Sequence, residues 1–123
     1  MCDLDQLVVR YVAMWNEPDS SSRRAIVEKL WTSDAVNLTK SIEARGYDAL
    51  ERRVTASYEK WGRDGGHTFR LRDADTHHDV VRVTWEMVPV AGGPATSIGI
   101  EFLMLAEDGR IRADYQFIEA SPR

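Results

Sequence analysis

Residues 99–118 read GIEFLMLAEDGRIRADYQFI, two largely apolar runs around a short polar centre. The Asp-Gly pair in that centre predicts a β-hairpin closed by a two-residue type I′ turn, because this turn needs positive φ angles. The turn fixes the register of the hairpin. In that register Glu101 faces Gln116, and Leu103 faces Asp114.

The same register sorts the hairpin side chains into two faces, since neighbouring residues of a strand point to opposite sides. One face carries Gly99, Glu101, Leu103, Leu105, Arg112, Asp114, Gln116 and Ile118, and the other carries Ile98, Ile100, Phe102, Met104, Ile111, Ala113, Tyr115 and Phe117. Both faces hold large apolar residues. We therefore expect helices to cover one face and a second copy of the chain to cover the other, giving a homodimer through the outer face of the sheet.

The first half of the chain shows helical periodicity. Residues 3–16 place apolar side chains at i, i+3, i+4 and i+7, which is typical of an amphipathic helix. Asp19, or one of the three serines after it, can cap a second helix whose apolar stripe ends at Trp31. A third helix begins at Gly46, and the glycines from Gly62 onward end it.

The hydrophobic period changes to two in the second half, which predicts four strands at about 67–76, 79–90, 96–106 and 110–119. A shorter strand at 35–39, with a hairpin partner at 42–45, precedes the third helix. Helices followed by successive hairpins predict an α+β fold with an antiparallel sheet. The length of 123 residues fits one domain, spanning 1–123.

Charge and composition exclude several classes of partner. The chain has 20 acidic and 16 basic residues, a net charge of -4, whereas nucleic acids and anionic membranes are bound by cationic patches. No apolar run approaches the roughly 18 residues of a membrane span. Cys2 is the one cysteine, so no intrachain disulfide can form, and the first residues lack the basic start of a secretory signal. We expect a cytoplasmic protein that binds neither nucleic acid nor membrane.

Short motifs are spread along the chain in a particular order. They are YVAMWNE from Tyr11 to Glu17, Trp31 before Ser33-Asp34-Ala35, Gly46, His77-His78-Asp79 before Trp85, Gly99-Ile100-Glu101, and Asp108-Gly109-Arg110-Ile111 before Phe117. Together they resemble SnoaL-like proteins of the nuclear-transport-factor-two-like superfamily over almost the whole chain. The resemblance implies a cone-shaped fold, with three N-terminal helices packed on a strongly curved mixed or antiparallel sheet around an internal cavity. It also implies dimers formed through the outer face of the sheet.

Within that superfamily the ketosteroid isomerases can be compared residue by residue. Their oxyanion-binding tyrosine lies in an Arg-Tyr-Val-Ala context, which Tyr11 matches, and their protonated aspartate corresponds in position to Glu101. The resemblance therefore implies that Tyr11 is an oxyanion donor and Glu101 a second donor. Their general-base aspartate is replaced here by Thr39, which cannot act as a base near neutral pH. This departure removes the group that would move a proton between carbon atoms.

Glu101 is the most informative residue, because it is a carboxyl group on an otherwise apolar strand. Burying it in the charged form would cost several kcal/mol, so it is either protonated or partnered. A raised pKa would let it act as an acid or base. A salt bridge to Arg112 and simple exposure are the alternatives. Asp114 either forms an acid pair with Glu101 or is solvated near the hairpin tip, and Gln116 is a hydrogen-bond partner that can orient Glu101.

Further candidate ligand contacts come from polar and aromatic positions. Asn37 and Thr39 share one face of the first strand and could bind a ligand or serve the following turn. Trp15, Tyr58 and Trp85 are the aromatic residues predicted to line the cavity. For Tyr11, the alternative to a ligand contact is a core tyrosine bonded to a backbone carbonyl.

No cofactor or metal is expected. His67, His77 and His78 lack the spacing and the further ligands of a metal site, and the adjacent pair reads as turn residues. No phosphate loop and no nucleophile motif is present in the sequence.

Two functions remain open. The first is a domain that binds a small hydrophobic, polyketide-like or steroid-like molecule without changing it, through the polar contacts of Tyr11, Asn37, Glu101 and Gln116. The alternative is a cofactor-independent isomerase, cyclase, dehydratase or hydrolase with Glu101 as acid or base and Tyr11 as oxyanion donor.

Overall fold

A computed structural model describes residues 4–120 of the chain. Cys2, on which the disulfide prediction rests, lies outside the described residues. The elements in chain order are α1 (Leu4–Asn16), α2 (Ser20–Leu30), β1 (Trp31–Leu38), β2 (Glu43–Arg45), α3 (Tyr47–Ser57), a π-helical turn (Tyr58–Arg63), β3 (His67–His77), β4 (Val80–Pro89), β5 (Ser97–Leu105) and β6 (Ile111–Ala120). The predicted α+β class is confirmed.

The six strands form one open, mixed sheet in the order β2-β1-β6-β5-β4-β3. Four of the five neighbouring pairs are antiparallel, as predicted. The exception is β1, which runs parallel to β6 and places Asn37 beside Asp114. Because of this pair β6 lies in the interior of the sheet, with a strand on each side.

The register predicted for the β5–β6 hairpin is confirmed around the middle of the hairpin, although the predicted turn is wrong. Glu101 pairs with Gln116 and Leu103 pairs with Asp114. The tip is a three-residue loop rather than a two-residue type I′ turn, and of its residues Gly109 alone has a positive φ, 87°. The longer loop shifts the pairing between β5 and β6 by one residue. A bulge close to the tip then restores the predicted pairing.

That bulge also corrects the predicted faces near the tip. Ile111 was expected on the outer face, but it pairs with Leu105 and is fully buried in the core. Arg112 is exposed, and it forms no ion pair with Glu101. The salt bridge considered for Glu101 is therefore absent.

The helices pack their apolar stripes against one side of the sheet. The predicted stripe of α1 is buried from Leu7 to Trp15, and the core combines it with residues of α2, α3 and the central strands. Asp19 caps α2 by accepting a hydrogen bond from the Ser22 backbone N–H, as expected for this residue type. Gly46 precedes α3 with a φ of 86°, a conformation that favours glycine.

Two predicted boundaries of elements are wrong. Trp31 begins β1 instead of ending α2, and residues 32–34 also belong to this strand, which was predicted to begin at residue 35. Gly62 does not end the third helix, because a π-helical turn continues through it to Arg63. Such turns are rare and occur often beside functional sites. In the part of the chain from 4 to 120, no helix is both long enough and apolar enough to cross a membrane.

Candidate functional site

A cavity of about 380 Å³ lies between the helices and the sheet. Its walls come from α1 (Tyr11, Val12, Trp15), α3 and the π-helical turn (Arg53, Ser57, Trp61), and the strands with the β4–β5 loop (Phe69, Trp85, Met87, Thr96, Ser97, Glu101, Gln116, Ile118). The volume falls within the range of small-molecule sites, which are mostly apolar with a few placed polar groups.

Glu101 is the carboxyl group of this cavity, and it is 2% exposed. Its Oε2 accepts a hydrogen bond of 2.8 Å from Nε1 of Trp85, and its Oε1 lies 3.0 Å from the Tyr11 hydroxyl. Gly99 makes this geometry possible, since a Cβ at that position would lie 2.1 Å from the Trp85 ring. The indole can therefore lie across β5 and reach the carboxyl group.

Asp114 is fully buried behind the cavity wall. Its Oδ2 accepts hydrogen bonds from the Tyr11 hydroxyl at 2.5 Å and from Nδ2 of Asn37 at 3.0 Å. Tyr11 thus bridges Asp114 and Glu101. The predicted acid pair is present, whereas the alternative of a solvated Asp114 is wrong, because β6 lies between β1 and β5.

The two carboxyl groups hold their protons unequally. Burial raises the pKa of Glu101 well above its ordinary value, and the nearby charge of Asp114 raises it further. Burial also raises the pKa of Asp114, but hydrogen bonds and the charge of Arg53 oppose that increase. The pKa of the Tyr11 phenol is raised well above normal, chiefly by burial, so it keeps its proton.

These directions assign the charge within the pair. Hydrogen bonds and the charge of Arg53 counter the rise in the pKa of Asp114, whereas the charge of Asp114 adds to the rise at Glu101, so the directions favour an ionised Asp114 and a protonated Glu101 on the cavity wall. The Tyr11 hydroxyl has one proton, which it donates to Asp114. The hydroxyl oxygen then accepts a hydrogen bond from protonated Glu101. In this arrangement the Tyr11 proton is engaged within the protein, and Glu101 is the acid nearest to a ligand.

Arg53 on α3 organises the polar side of the site. Its Nε donates to Oδ1 of Asn37 at 3.1 Å, and its Nη2 donates to Oε1 of Gln116 at 3.0 Å. The guanidinium also stacks on Trp15, 5.1 Å from a ring centroid. Through Asn37, Arg53 is connected to Asp114.

The structure brings together most of the candidate residues named from the sequence. Tyr11, Trp15, Trp85, Glu101 and Gln116 line the cavity. Asn37 and Asp114 lie directly behind the cavity wall, in its hydrogen-bond network.

Two candidates lie elsewhere. Thr39 is in the turn after β1, where its hydroxyl accepts hydrogen bonds from the backbone N–H groups of Ser41 and Ile42. Tyr58 packs its ring against the guanidinium of Arg23 and does not line the cavity. The turn role considered for Thr39 is therefore the one that the structure shows.

Sequence reasoning missed Arg53 and Ser57. Arg53 belongs to an Arg-Arg pair of the kind that usually faces solvent, yet it lies three residues after Leu50 and four before Ser57 on the inward face of α3. Helical spacing from the apolar stripe was the signal that could have found both residues.

A metal site is not apparent among residues 4–120, since no three His, Cys, Asp or Glu side chains are grouped to hold an ion. His77 and His78 are at the β3–β4 turn, where His78 has a positive φ of 55°.

The fold is that of SnoaL-like, nuclear-transport-factor-two-like proteins, also described as cystatin-like. No protein-family profile and no curated protein sequence matches the chain. Solved structures do. A candidate isomerase of the SnoaL-like family from Agrobacterium tumefaciens str. C58 superposes with a TM-score of 0.84 at 23% identity, over 94% of this chain and 96% of that one.

Two more distant structures show the same fold. A candidate polyketide cyclase from Sinorhizobium meliloti has a TM-score of 0.70 at 16% identity, covering 94% of this chain and 96% of that chain. A nuclear-transport-factor-two-like protein of unknown function from Exiguobacterium sp. 255-15 has a TM-score of 0.71 at 15% identity, with 94% and 99% covered. At these identities the likeness establishes the fold alone.

Proposed function

We propose that the cavity binds a small, largely apolar molecule of polyketide-like or steroid-like character that carries a hydrogen-bond-accepting oxygen. The observation that carries this proposal is the buried Glu101, whose pKa is raised by burial, on the wall of an aromatic cavity. A protonated carboxyl group in an apolar site can donate to a ligand oxygen without the cost of burying a charge. Trp15, Phe69 and Trp85 supply flat apolar surface for the body of the ligand.

The four tryptophans of the chain offer a direct test. Trp15, Trp61 and Trp85 line the cavity, whereas Trp31 is fully buried in the core and donates its indole N–H to Sδ of Met14. With 2-acetonaphthone as a neutral aromatic probe, we expect the indole N–H signals of the three cavity residues to shift in nitrogen-15 NMR spectra. The Trp31 signal serves as an internal control and should stay in place. No shift of the cavity signals with this probe would contradict the proposal.

An acid–base enzyme of isomerase, cyclase, dehydratase or hydrolase type is the second candidate. The connected groups Glu101, Tyr11 and Asp114 favour it, since together they can hold one proton and pass it along two hydrogen bonds. Thr39 does not line the cavity, so Glu101 is the acid or base that would act on the substrate. Glu101→Gln separates the two functions, because an amide keeps a donor and an acceptor but transfers no proton. If the variant still binds the probe and no turnover is found that depends on Glu101, the binding function alone is supported.

We also propose a homodimer through the outer face of the sheet. Phe102, Tyr115 and Phe117 lie there together, with Phe102 and Phe117 in edge-to-face contact at 5.9 Å. Tyr115 and Phe117 are 42% and 58% exposed, a large apolar surface for a single chain. The cytoplasmic location stays a prediction from the sequence.

A further inference from the structure

Arg53 is a partly buried cation that no carboxylate contacts directly within residues 4–120, although its charge lowers the pKa of Asp114 behind the cavity wall. None of the ion pairs within residues 4–120 includes it. Its Nε and Nη2 donate to Asn37 and Gln116, and the described residues provide no acceptor for Nη1. Among the side chains that line the cavity, Arg53 is the one with a positive charge. A guanidinium in such a site favours an oxygen anion, to which its free Nη1 can donate a charge-assisted hydrogen bond.

Ser57 adds a second donor to the same wall. It lies four residues after Arg53 on α3, one helical turn away, and both side chains line the cavity. Ser57 is 7% exposed, and its hydroxyl makes no hydrogen bond within residues 4–120. The hydroxyl is on the cavity wall, so a group that enters the cavity can accept its proton.

The rest of the cavity is compatible with an anion. Burial raises the pKa of Glu101 and so favours its neutral form, which does not repel a negative ligand. The ionised Asp114 lies behind the wall, separated from the cavity by its hydrogen bonds with Tyr11 and Asn37. Aromatic side chains form much of the remaining wall, and a charge-assisted hydrogen bond is stronger in such apolar surroundings.

We propose that Arg53 and Ser57 form a subsite for the carboxylate of an amphiphilic monoanion whose apolar body packs against the aromatic wall. This assignment rests on the proposed binding function and narrows its ligand class to small organic acids. Arg53 binds the carboxylate with Nη1, and the Ser57 hydroxyl donates to its second oxygen. Glu101 remains available for another oxygen of the same ligand.

A matched pair of probes tests the subsite by isothermal titration calorimetry. 2-Naphthoate and 2-acetonaphthone share an aromatic body, but only the first carries a negative charge. We expect the protein to bind the acid at least about tenfold more tightly than the ketone. Arg53→Met should remove this preference and leave ketone binding in place. Arg52→Gln, a change at the exposed neighbour on the same helix, should preserve the preference.

The possible failures are distinguishable. If the wild-type protein binds neither probe, the proposed binding function fails. If it binds both equally, or if Arg53→Met keeps the preference for the acid, the cavity stands and the carboxylate subsite is refuted.

Arg53 also holds Asn37 and Gln116, so its loss could disturb folding. Ser57→Ala and Arg53→Lys are milder changes that carry the test in that case. Ser57→Ala should weaken acid binding about three- to tenfold, the effect of one lost hydrogen bond, and leave ketone binding unchanged. Arg53→Lys should keep part of the preference, because it keeps the charge but not the planar group that also holds Asn37 and Gln116. Equal effects of Ser57→Ala on both probes would overturn the assignment.

Discussion

Replacing Glu101 with Gln should change how the stability of the protein depends on pH. The pKa of Glu101 is raised in the folded protein, so folding favours its protonated form. Its contribution to stability is therefore complete below the ordinary pKa of about 4.5 and is lost as the pH rises toward the folded pKa. A glutamine has nearly the same shape, can accept from Trp85 and donate to Tyr11, and does not ionise.

The size of the effect follows from one proton. Between the two pKa values the folded chain holds a proton that the unfolded chain has released, so the wild-type protein loses about 1.4 kcal/mol per pH unit relative to Glu101→Gln. Two units correspond to about 2.7 kcal/mol, a large part of the roughly 5–15 kcal/mol that stabilises a typical domain.

Urea denaturation of both proteins at several values from about pH 5 to about pH 8 measures this difference. We expect the free energy of unfolding of Glu101→Gln to increase relative to that of the wild-type protein as the pH rises. Glu107→Gln, a change at the exposed hairpin tip, is the matched control and should follow the wild-type curve. A difference between Glu101→Gln and wild type that stays constant over this range would refute a protonated Glu101.

Three further variants test other parts of the structure. Gly99→Ala should push the Trp85 indole off β5 and cost about 1–3 kcal/mol in urea unfolding, with a shifted Trp85 N–H signal, since the new Cβ would lie 2.1 Å from the ring. An unmoved indole signal would contradict this. Tyr11→Phe should cost about 1–3 kcal/mol by the same assay, because two buried carboxyl groups lose their shared partner; an unchanged midpoint would argue against the bridge. Phe117→Lys should convert the dimer to a monomer in sedimentation experiments, whereas Val9→Lys, at a position of similar exposure on α1, should not; two monomeric or two dimeric variants would contradict the proposed interface.

Local sequence signals were enough to predict the class of fold and the core of the site. The amphipathic stripe of α1 placed Tyr11 and Trp15 inward, and the alternation along the last two strands placed Glu101 with Gln116. These predictions depend on periodicities within a single helix or hairpin, which short-range sequence determines.

Features that depend on distant parts of the chain could not be predicted in this way. The sequence left Asp114 either paired with Glu101 or solvated near the hairpin tip, and the parallel pairing of β1 with β6 buries it. No local sequence pattern predicts a contact between strands that are more than 70 residues apart in the chain. Arg53 was missed for a related reason, since the residues that accept its hydrogen bonds are on β1 and β6.

The bulge in the β5–β6 hairpin makes the strand pairing at Glu101 independent of the pairing at the hairpin tip. The three-residue loop displaces the pairing by one position, and the bulge restores it before Glu101 is reached. The tip can therefore vary in length between relatives while the acid keeps its place opposite Gln116. For the same reason the exposed segment around Asp108 is a suitable point for inserting an epitope or a reporter peptide without displacing the buried acid pair.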